Sequence, residues 1–421
     1  MEGVIILTNK TDSSLIAQKI KETDTVTKFI FDDGREVIFN RFSLKWAVLG
    51  VASEVEIMRV KTENEVKLSK NLYYRLEQST KCNLNCEYCC VKRNFIYEEL
   101  GEADAIMSVD LANSLLDQYE HEANNIGQEK RVVYFYGEEP FAGWETLKEM
   151  LADNRFEFFV NTNGLLLDDE KLSYLSKPHV YTIFSLDGLP EHNQLRFKNI
   201  DDYNLLINNY QKLRKLGGRA GFSITVHRDN ECDLVEIIET FISKYKPDGI
   251  GLGLPMYYAT GDTATSDVNI PGYVETLKNL FAVSVKNDIF LPYVASKFRP
   301  LINGLFRKYW CEAIGNTRTF LPSGREILCS RLSAKMDISK DELENWTPLN
   351  NPHCSKCDSI GICGGGCPWS ANMWFENHID ERECLINRRL LPFFLRQLSD
   401  VASSAYEKSL EERFKMVAWP K

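Results

Sequence analysis

The sequence predicts an α/β protein, built as a partial (β/α)6 TIM-like barrel with a small α/β domain before it and a cysteine-rich domain after it. Three features predict this fold. Six short apolar runs recur between residues 72 and 254, amphipathic stretches separate them, and seven of the twelve cysteines fall between residues 311 and 384. Strands that alternate with helices at this spacing form a parallel sheet, and a parallel sheet of this size favours a partial barrel.

Residues 1–70 are predicted to form the small N-terminal domain. The pattern indicates a strand over residues 4–7, a helix over 12–22, a hairpin over 29–39 and a helix over 43–49. The hairpin is expected to turn at Asp33-Gly34, a dipeptide typical of tight turns, and Gly50 is expected to end the second helix. These elements have a small core of their own, so the segment is interpreted as an appended domain.

The barrel is predicted over residues 71–300. Its six strands are expected over residues 72–78, 132–136, 156–160, 180–184, 221–226 and 250–254, with helices such as 203–216 and 234–245 between them. Beyond residue 300 the strand rhythm fades. Residues 301–390 are predicted to form the cysteine-rich domain, and residues 391–421 a tail that contains most of a helix running from about residue 385 to 414.

The composition excludes several classes of protein. The net charge is −10 and no basic run interleaves with aromatic residues, so nucleic acid is not an expected partner. The longest apolar stretches, residues 46–52 and 390–395, fall far below the roughly 18 residues of a membrane helix, and the apolar run near Met1 is too short for a secretion signal. We therefore expect no membrane association and a cytoplasmic location, where reduced thiols indicate metal ligation rather than disulfides.

Three cysteines follow the first barrel strand on one loop: Cys82, Cys86 and Cys89. This is the carboxyl end of a strand, where the active sites of barrels lie. Three thiolates can hold three irons of a cubane cluster and leave the fourth iron open to a small molecule. A structural zinc ion is the alternative, but zinc takes four ligands, and no His or second cysteine pair lies near in the sequence.

This motif, with aromatic Tyr88 directly before the last cysteine, resembles the signature of the radical S-adenosylmethionine superfamily. The resemblance implies a [4Fe–4S] cluster on Cys82, Cys86 and Cys89, with S-adenosyl-L-methionine chelating the open iron. It further implies that an electron from a donor such as flavodoxin or ferredoxin cleaves the cofactor to methionine and a 5′-deoxyadenosyl radical, which takes a hydrogen atom from the substrate.

Further segments, each at the end of a predicted strand, resemble family elements. Residues 137–140 are similar to a Gly-Gly-Glu-Pro element that receives the amino group of methionine, with Glu138 replacing its second glycine. Residues 161–164 and 185–188 are similar to segments near the ribose and the substrate, and ordinary turn chemistry is their alternative interpretation. The resemblance implies cofactor contacts for the following residues: Tyr88, Gly137, Glu139, Asn163, Ser185 and Arg196. Surface or loop structure is the alternative for Arg196, and Asp187 is the candidate for a catalytic role.

The C-terminal cysteines keep one ordered pattern. Cys311 is followed by Gly324 and Cys329, and later by a run with the spacing C-x2-C-x5-C-x3-C-x16-C that contains Cys354, Cys357, Cys363, Cys367 and Cys384. The pattern resembles the SPASM extension of radical S-adenosylmethionine enzymes, over about residues 305–390. That extension binds two auxiliary iron–sulfur clusters and usually works on peptides or proteins. A double zinc site is the alternative interpretation of these cysteines.

The resemblance also implies how the cysteines divide. One auxiliary cluster would take four ligands, Cys354, Cys357, Cys363 and Cys384, and the other would take three, Cys311, Cys329 and Cys367, so that the chain would hold three [4Fe–4S] clusters. Sulfatase maturases have an extra cysteine shortly after the first, and residues 312–328 contain none. The fourth ligand is left open between Cys90, Cys232, a non-cysteine group and a substrate thiolate, although Cys232 is expected to be a buried packing residue.

The function predicted from these patterns is that of a radical maturase, which oxidises and cross-links a ribosomally synthesised precursor peptide. Peptide-modifying enzymes of this kind often begin with a small unit whose strand edge captures a leader peptide, so residues 1–70 are a possible leader-recognition element. A packing extension that covers the barrel is the alternative for this segment. A sulfatase-maturase-like formylglycine-forming enzyme is the second prediction, and a non-catalytic zinc scaffold that binds proteins is the third.

Overall fold

In the computed structural model of the 421-residue chain, the described residues are 16–68, 71–254, 268–311, 317–336, 339, 341–342, 345–374, 379–402, 414 and 416. The predicted strand over residues 4–7 and the beginning of the predicted helix over residues 12–22 lie outside them. Most of the predicted helix beyond residue 402 also lies outside the described residues.

Within its described residues, the N-terminal domain is a four-stranded antiparallel sheet with one helix. Its strands lie side by side in chain order: β1 (Ile16–Lys21), β2 (Val26–Phe31), β3 (Glu36–Asn40) and β4 (Trp46–Val48). Helix α1 (Glu54–Thr62) follows, and its N-terminus is capped by Ser53, whose hydroxyl accepts from the Glu56 N–H. The predicted hairpin is confirmed, since β2 and β3 pair antiparallel across a turn in which Gly34 has a φ of +82°.

Two helices predicted in this domain are wrong. Residues 16–21, expected within a helix, form β1 and pair with β2. Residues 46–48, expected within the helix over residues 43–49, form β4 and pair with residues 37–39 of β3. In both places the pairing with a neighbouring apolar strand outweighs a weak local helix pattern, because strand formation depends mainly on the partners that the fold supplies.

The six predicted barrel strands are confirmed. They are β5 (Tyr73–Leu76), β6 (Val132–Phe135), β7 (Glu157–Thr162), β8 (Val180–Ser185), β9 (Arg219–Thr225) and β10 (Ile250–Gly253). They lie side by side in chain order, and each neighbouring pair is parallel. Because the strands are parallel, their carboxyl ends meet at one edge of the sheet, and the loops that follow them converge there.

Helices cover the sheet between these strands. They are α2 (Cys90–Arg93), α3 (Ile96–Leu100), α4 (Val109–Asn125), α5 (Trp144–Ala152), α6 (Asp169–Leu175), α7 (Ile200–Lys215), α8 (Leu234–Tyr245), α9 (Ile270–Asn287) and α10 (Pro292–Asn303). Polar caps mark where the chain leaves a loop, as at Asn199, whose side chain accepts from the Asp202 N–H. Within the described part of the chain, no helix combines the length and the apolar character that a membrane span needs.

The cysteine-rich region continues the barrel sheet, which the sequence did not predict. Strand β11 (Thr317–Phe320) pairs parallel with β5, and β12 (Glu326–Ile327) pairs antiparallel with β11, so the sheet has eight strands. The helices of this region are α11 (Ser330–Lys335), α12 (Ile360–Cys363), α13 (Pro368–Trp374) and α14 (Glu381–Ala402). The predicted domain boundaries at residues 300 and 390 fall inside α10 and α14.

The N-terminal sheet docks on the cysteine-rich region. The Thr27 hydroxyl donates to the Asp358 carboxylate over 2.7 Å, and Lys19 forms an ion pair with the same carboxylate. Gly361 in α12 lies so close that a Cβ atom there would stand 2.4 Å from the Leu44 side chain and 2.9 Å from the Arg41 carbonyl oxygen. The absence of a side chain at Gly361 therefore allows this contact.

A buried ion pair joins α10 to α14. The Lys297 Nζ atom lies 2.6 Å from Glu383 Oε2, and their side chains are 1% and 2% exposed. The Tyr293 hydroxyl donates to the other oxygen of Glu383 over 2.7 Å. Burial alone would raise the pKa of Glu383, but the Lys297 ammonium group and the hydrogen bonds hold that pKa at about 2. The pair fixes Cys384, the next residue, relative to the barrel.

We predict that Lys297→Met lowers the thermal unfolding midpoint substantially. The substitution leaves the Glu383 carboxylate buried without its partner, which typically costs about 3–5 kcal/mol. The double substitution Lys297→Met with Glu383→Leu removes both charges and is expected to recover much of that loss. Circular dichroism during heating measures the midpoints. A single variant that melts with the unmodified protein would contradict this account of the pair.

Candidate active site

A cavity of about 300 Å³ opens at the carboxyl ends of the parallel strands. All six residues that the sequence predicted as cofactor contacts line it, together with the three cysteines of the first motif: Tyr88, Gly137, Glu139, Asn163, Ser185, Arg196, Cys82, Cys86 and Cys89. The loops that carry these residues follow β5, β6, β7 and β8. The parallel arrangement of the strands thus brings residues from four loops into one wall.

The loop of the first motif is held by hydrogen bonds of its backbone. The Cys89 N–H donates to the Cys86 carbonyl over 3.1 Å, which turns the chain before α2. The Lys92 ammonium group donates to the carbonyls of Cys82 and Leu84, over 3.3 and 2.5 Å. These contacts leave the three thiols half-buried at the cavity.

The carboxylate of Glu139 ties this loop to the next two strands. It is 1% exposed and accepts from the Asn163 N–H and the Thr162 hydroxyl, both over 2.8 Å. The Glu139 N–H donates to the Lys81 carbonyl over 2.9 Å, directly before Cys82. Burial raises the pKa of Glu139 to about 7, against the lowering effect of these hydrogen bonds. Glu139 is therefore anchored on three loops at once.

Asn163 and Gly137 have further contacts that explain their residue types. The Asn163 amide donates to the Asn83 side chain over 2.8 Å and lies 3.9 Å from the Cys82 sulfur. Gly137 has a φ of +121°, and a Cβ atom there would stand 2.9 Å from the Tyr97 hydroxyl. Glycine is thus required at position 137. Glu138, the departure from the family element, also lines the cavity, and burial raises its pKa to about 7.

Asp187, the candidate for a catalytic role, is completely buried behind this wall. Its oxygens accept from Nε and Nη2 of Arg196 over 3.1 and 2.9 Å, from the Thr225 N–H over 2.9 Å, and from the Tyr88 hydroxyl. Four donors saturate the carboxylate. These contacts suit a residue that positions Tyr88 and Arg196.

Arg196 lies in a turn after β8, and its side chain reaches the cavity wall. That side chain is 9% exposed and lies 5.4 Å from the centre of the Tyr88 ring, so it is a buried partner of Asp187 rather than a surface residue. His227 stacks on the other side of this cluster, with its ring 6.1 Å from that of Tyr88.

The structure brings Cys311, Cys329 and Cys367 together as a second group. Burial, together with the neighbouring thiols of Cys311 and Cys329, raises the pKa of the Cys367 thiol to about 12. Cys329 directly precedes α11 and Cys367 directly precedes α13. Gly364 lets the segment that leads to Cys367 lie close to the segment that carries Cys311. It has a φ of +75°, and a Cβ atom at this position would clash, at 2.5 Å, with the backbone nitrogen of Trp310, the residue before Cys311.

The other four C-terminal cysteines form a third group. Burial, together with the neighbouring thiols of Cys363, Cys354 and Cys357, raises the pKa of the Cys384 thiol to about 12. The Cys357 N–H donates to the Cys354 carbonyl over 2.9 Å, in a turn that brings these two cysteines together. Cys367 and Cys384 each neighbour cysteines of the set in which the resemblance places them. Cys232 is in neither of them and is exposed, so its predicted role as a buried packing residue is wrong.

The donor sets fit iron–sulfur clusters. All twelve cysteines lie in the described part of the chain and are thiols rather than disulfides. Burial raises the pKa of Cys82 to about 11 and of Cys89 to about 12, so a bound metal would have to displace the protons. Among the described residues, no three His, Cys, Asp or Glu side chains converge as ligands of one metal ion do. The ligands of a cubane each bind a different iron, so sets of three or four thiols are suited to such a cluster.

A second cavity of about 290 Å³ adjoins the first, and sequence reasoning missed its polar wall. Three residues line both cavities: Tyr136, Leu254 and Arg331. Arg75 lines the second cavity beside the thiols of Cys311, Cys329 and Cys367. A charged residue inside the apolar run of β5 was the available signal, since a charge in a barrel strand is expected to face a functional interior.

Comparison with known proteins gives a family match within the barrel. Residues 76–241 match the model of the radical SAM superfamily. A curated relative, the radical SAM cyclopropyl synthase TigE of Paramaledivibacter caminithermalis, is 24% identical over 417 aligned residues, which cover 88% of this chain and 86% of the relative.

Solved structures share the fold. The structure of anSMEcpe with bound AdoMet and the Cp18Cys peptide has a TM-score of 0.60 at 18% sequence identity. The match covers 78% of this chain and 98% of the anSMEcpe chain. The structure of Streptococcus suis SuiB bound to the precursor peptide SuiA has a TM-score of 0.52 at 14% sequence identity. The match covers 85% of this chain and 97% of the SuiB chain. These likenesses confirm the α/β fold class that the sequence predicted.

We predict that Gly364→Ala lowers the iron and sulfide content of the anaerobically reconstituted protein by about four atoms of each per chain. The new methyl group would stand 2.5 Å from the backbone nitrogen of Trp310, so it would push the loop of Cys367 away from Cys311. Gly127→Ala is the matched control. Gly127 also has a positive φ, +68°, but no atom of the described residues lies within 4 Å of the place that its new methyl group would take.

Iron and acid-labile sulfide analysis of the two variants measures the effect. The control is expected to keep the full content, since it has only the backbone strain and no clash. Equal iron and sulfide in both variants would contradict the proposed closeness of Cys311 and Cys367.

Proposed function

We propose that this chain, whose residues 76–241 match the model of the radical SAM superfamily, is a radical S-adenosylmethionine enzyme that oxidises and cross-links a ribosomally synthesised precursor peptide in the cytoplasm. The observation that carries the proposal is the single cavity wall that joins three cysteine thiols to the residues suited to S-adenosylmethionine. A second argument is the pair of C-terminal cysteine groups, which resemble the auxiliary-cluster domain of peptide-modifying enzymes. Two of the similar structures also hold a peptide.

Cys82, Cys86 and Cys89 would hold the first [4Fe–4S] cluster. When that cluster binds S-adenosylmethionine and receives an electron, it supplies a 5′-deoxyadenosyl radical that removes a hydrogen atom from the substrate. The half-buried thiols and the adjoining cavity support this assignment. A flavodoxin or ferredoxin is the proposed electron donor.

The other residues of the wall would bind and orient the cofactor. The carboxylate of Glu139 is held by three loops at a fixed place, so it can receive the amino group of methionine without a change of conformation. Tyr88 and Arg196 present a ring and a guanidinium group from behind Cys86, and Asp187 keeps both in place. The backbone at Gly137 and the side chains of Asn163 and Ser185 complete the proposed contacts.

The C-terminal cysteines would hold two further clusters. Cys354, Cys357, Cys363 and Cys384 supply four thiolates for one, and Cys311, Cys329 and Cys367 supply three for the other. The substrate would lose one hydrogen atom to the adenosyl group, then one proton and one electron as the new bond forms. A three-cysteine cluster beside the first cavity is well placed to accept that electron.

The N-terminal sheet would capture the leader of the precursor. Within the described residues, β1 pairs only with β2, so its outer edge can accept an added strand. The same sheet docks on the cysteine-rich region through Thr27, Lys19 and Asp358. A leader bound at β1 would therefore be held at a fixed distance from the cavities.

A formylglycine-forming enzyme of the sulfatase-maturase kind is the second candidate. The TM-score of 0.60 to anSMEcpe with its bound Cp18Cys peptide favours it. The absence of a cysteine between Cys311 and Cys329, where sulfatase maturases have one, argues against it. The two candidates differ in the product, because one changes a single Cys or Ser to an aldehyde and the other joins two residues.

We predict that anaerobic incubation with a precursor peptide encoded beside the gene lowers the mass of the peptide by two hydrogens and blocks fragmentation between two residues. Formation of a cross-link removes two hydrogen atoms and joins two residues of the peptide. The loss of mass and the blocked fragmentation should therefore appear together. Mass spectrometry measures them. Cys82→Ala should abolish the change, while Cys232→Ala, at an exposed cysteine outside the groups, should retain it.

An aldehyde at a single Cys or Ser would establish the second candidate and overturn the first. An unchanged peptide in a preparation that still cleaves S-adenosylmethionine would exclude that precursor as a substrate.

We predict that Asp187→Asn slows cleavage of S-adenosylmethionine about tenfold even without substrate, since it weakens charge-assisted hydrogen bonds that hold Tyr88 and Arg196. Asp248→Asn is the matched control. Asp248 likewise accepts from an arginine, Arg214, and from a backbone N–H, that of Ala220, but at the opposite end of the sheet.

Chromatographic assay of 5′-deoxyadenosine measures both rates. A catalytic base for the substrate would behave differently from a positioning residue. Normal cleavage without substrate, together with loss of peptide modification, would show that Asp187 acts on the substrate after all.

A further inference from the structure

Three buried N–H donors in the wall of the second cavity have no acceptor among the described residues. They are Nε of Arg75 and the indole nitrogens of Trp310 and Trp369, and we call these three residues the donor wall. Burying a donor without an acceptor costs free energy, and native structures rarely leave one unpaired. Three such donors around one cavity indicate a bound group that offers acceptors.

The donor wall surrounds the same space as three thiols. Cys311, Cys329 and Cys367 line this cavity too, and we call the cluster that they would hold the three-cysteine cluster. Arg75 lies within electrostatic reach of Cys311 and Cys329. The inorganic sulfides and the thiolates of an iron–sulfur cluster can accept hydrogen bonds, and they supply the acceptors that the donor wall lacks.

Two arginines give the wall a positive charge. Arg75 has no carboxylate partner among the described residues, and the ring centre of Tyr136 lies 4.5 Å from its central carbon. Arg331, which lines both cavities, donates to the Cys90 sulfur over 3.2 Å and to the Tyr136 hydroxyl oxygen over 3.4 Å. Neither acceptor is a carboxylate, so both guanidinium charges act on whatever occupies the space between them.

The nearby carboxylates do not cancel these charges. In the wall itself, Asp380 is paired with Arg382, and Glu383 is paired with Lys297. Glu77 lies two residues along β5 from Arg75, but it is not among the residues that line the cavity. The oxygens of Glu77 accept from two hydroxyl groups, over 2.8 and 3.1 Å.

The other C-terminal group of cysteines has different surroundings. We call the cluster that Cys354, Cys357, Cys363 and Cys384 would hold the four-cysteine cluster. Lys297 lies near Cys363, but its charge is balanced by Glu383. Arg388 lies beside Cys357 and is exposed, so solvent screens its charge. The buried charges that face the two groups therefore differ in sign balance.

We propose that the donor wall donates hydrogen bonds to the sulfur atoms of the three-cysteine cluster and raises its reduction potential above that of the four-cysteine cluster. Reduction adds one negative charge to a cluster. Positive charges and N–H donors at its sulfurs stabilise that added charge, and the effect is large in a buried site. Arg75 and Trp369 are thus positioning residues for the redox step and not ligands.

This inference rests on the proposed function and deepens it, because it assigns the electron acceptor. The substrate radical would give one electron to the three-cysteine cluster and one proton to solvent water as the new bond forms. The cluster with the higher potential accepts that electron more readily. The first cavity adjoins the second, so the acceptor would stand beside the substrate.

Redox titration followed by electron paramagnetic resonance tests the proposal on the anaerobically reconstituted full-length protein, without substrate. Addition of S-adenosylmethionine to a separate sample identifies the signal of the first cluster. The signal that disappears in Cys329→Ala belongs to the three-cysteine cluster, and the remaining signal is the internal reference. The unmodified protein should show a higher potential for the three-cysteine cluster than for the reference.

Arg75→Gln is expected to lower the equilibrium constant for reduction of the three-cysteine cluster about tenfold, because it removes a charge and its hydrogen bonds. For a one-electron couple this is a potential about 59 mV more negative. Arg75→Lys keeps the charge and should show a smaller change. Trp369→Phe keeps an aromatic ring, removes only the N–H donor and should lower the constant about threefold.

Arg219→Gln is the matched control. Arg219 also has a buried Nε atom without a partner and stands over a tyrosine ring, that of Tyr181 at 5.7 Å. It begins β9 and so lies at the opposite end of the sheet from the cavities. This control should leave both potentials unchanged. An equal shift in Arg75→Gln and Arg219→Gln would overturn the proposal, because it would indicate a general effect of removing a buried arginine.

Iron and sulfide counts on each sample show which variants still hold the cluster. If Arg75→Gln loses about four atoms of each, Trp369→Phe decides, since it changes no charge. An unchanged potential in a loaded Trp369→Phe and a loaded Arg75→Lys would refute the donor wall. A three-cysteine cluster with a lower potential than the reference in the unmodified protein would refute it as well.

The titration needs neither cofactor cleavage nor a peptide, so this inference and the proposed function fail separately. Potentials that shift as predicted in a protein that modifies no peptide would sink the proposed function alone. A protein that cross-links its peptide, but whose potentials ignore every substitution in the donor wall, would sink this inference alone.

Discussion

The buried carboxylate of Glu139 is the contact on which the candidate active site depends. The carboxylate accepts hydrogen bonds from residues at the carboxyl end of β7 and from its own loop. The backbone N–H of Glu139 donates to the residue before Cys82. Burying a carboxylate is costly unless its oxygens are satisfied, and here three donors satisfy them. The result is a fixed position, because the loops after β5, β6 and β7 are held relative to one another, and the thiols of the first motif are carried with them.

The cysteine-rich region is held on this barrel by different devices. Strand β11 extends the sheet beside β5, the Lys297–Glu383 pair fastens α14 to α10, and Gly364 lets two cysteine-bearing segments approach. These contacts bring the group of Cys311, Cys329 and Cys367 beside the first cavity rather than at a separate end of the molecule. An electron acceptor and a radical source would then share one passage, in which Tyr136 stands.

Sequence patterns predicted the parts of this structure that depend on local order along the chain. Continuous apolar runs gave the six strands, and the resemblance to the SPASM extension implied how the C-terminal cysteines divide. Strands β1, β4 and β11 escaped prediction, since short strands are decided by a partner far away in the sequence. The engaged state of Asp187 was likewise invisible, because the donors from Arg196 and Thr225 come from separate loops.

The central claim is that Cys82, Cys86 and Cys89 hold a cluster that cleaves S-adenosylmethionine. Electron paramagnetic resonance of the anaerobically reconstituted, dithionite-reduced protein tests it most directly when iron and sulfide are counted on the same sample. The account predicts about twelve irons and twelve sulfides per chain, a cluster signal that changes when S-adenosylmethionine is added, and formation of 5′-deoxyadenosine. A zinc-filled protein without sulfide, whose spectrum ignores S-adenosylmethionine, would contradict it.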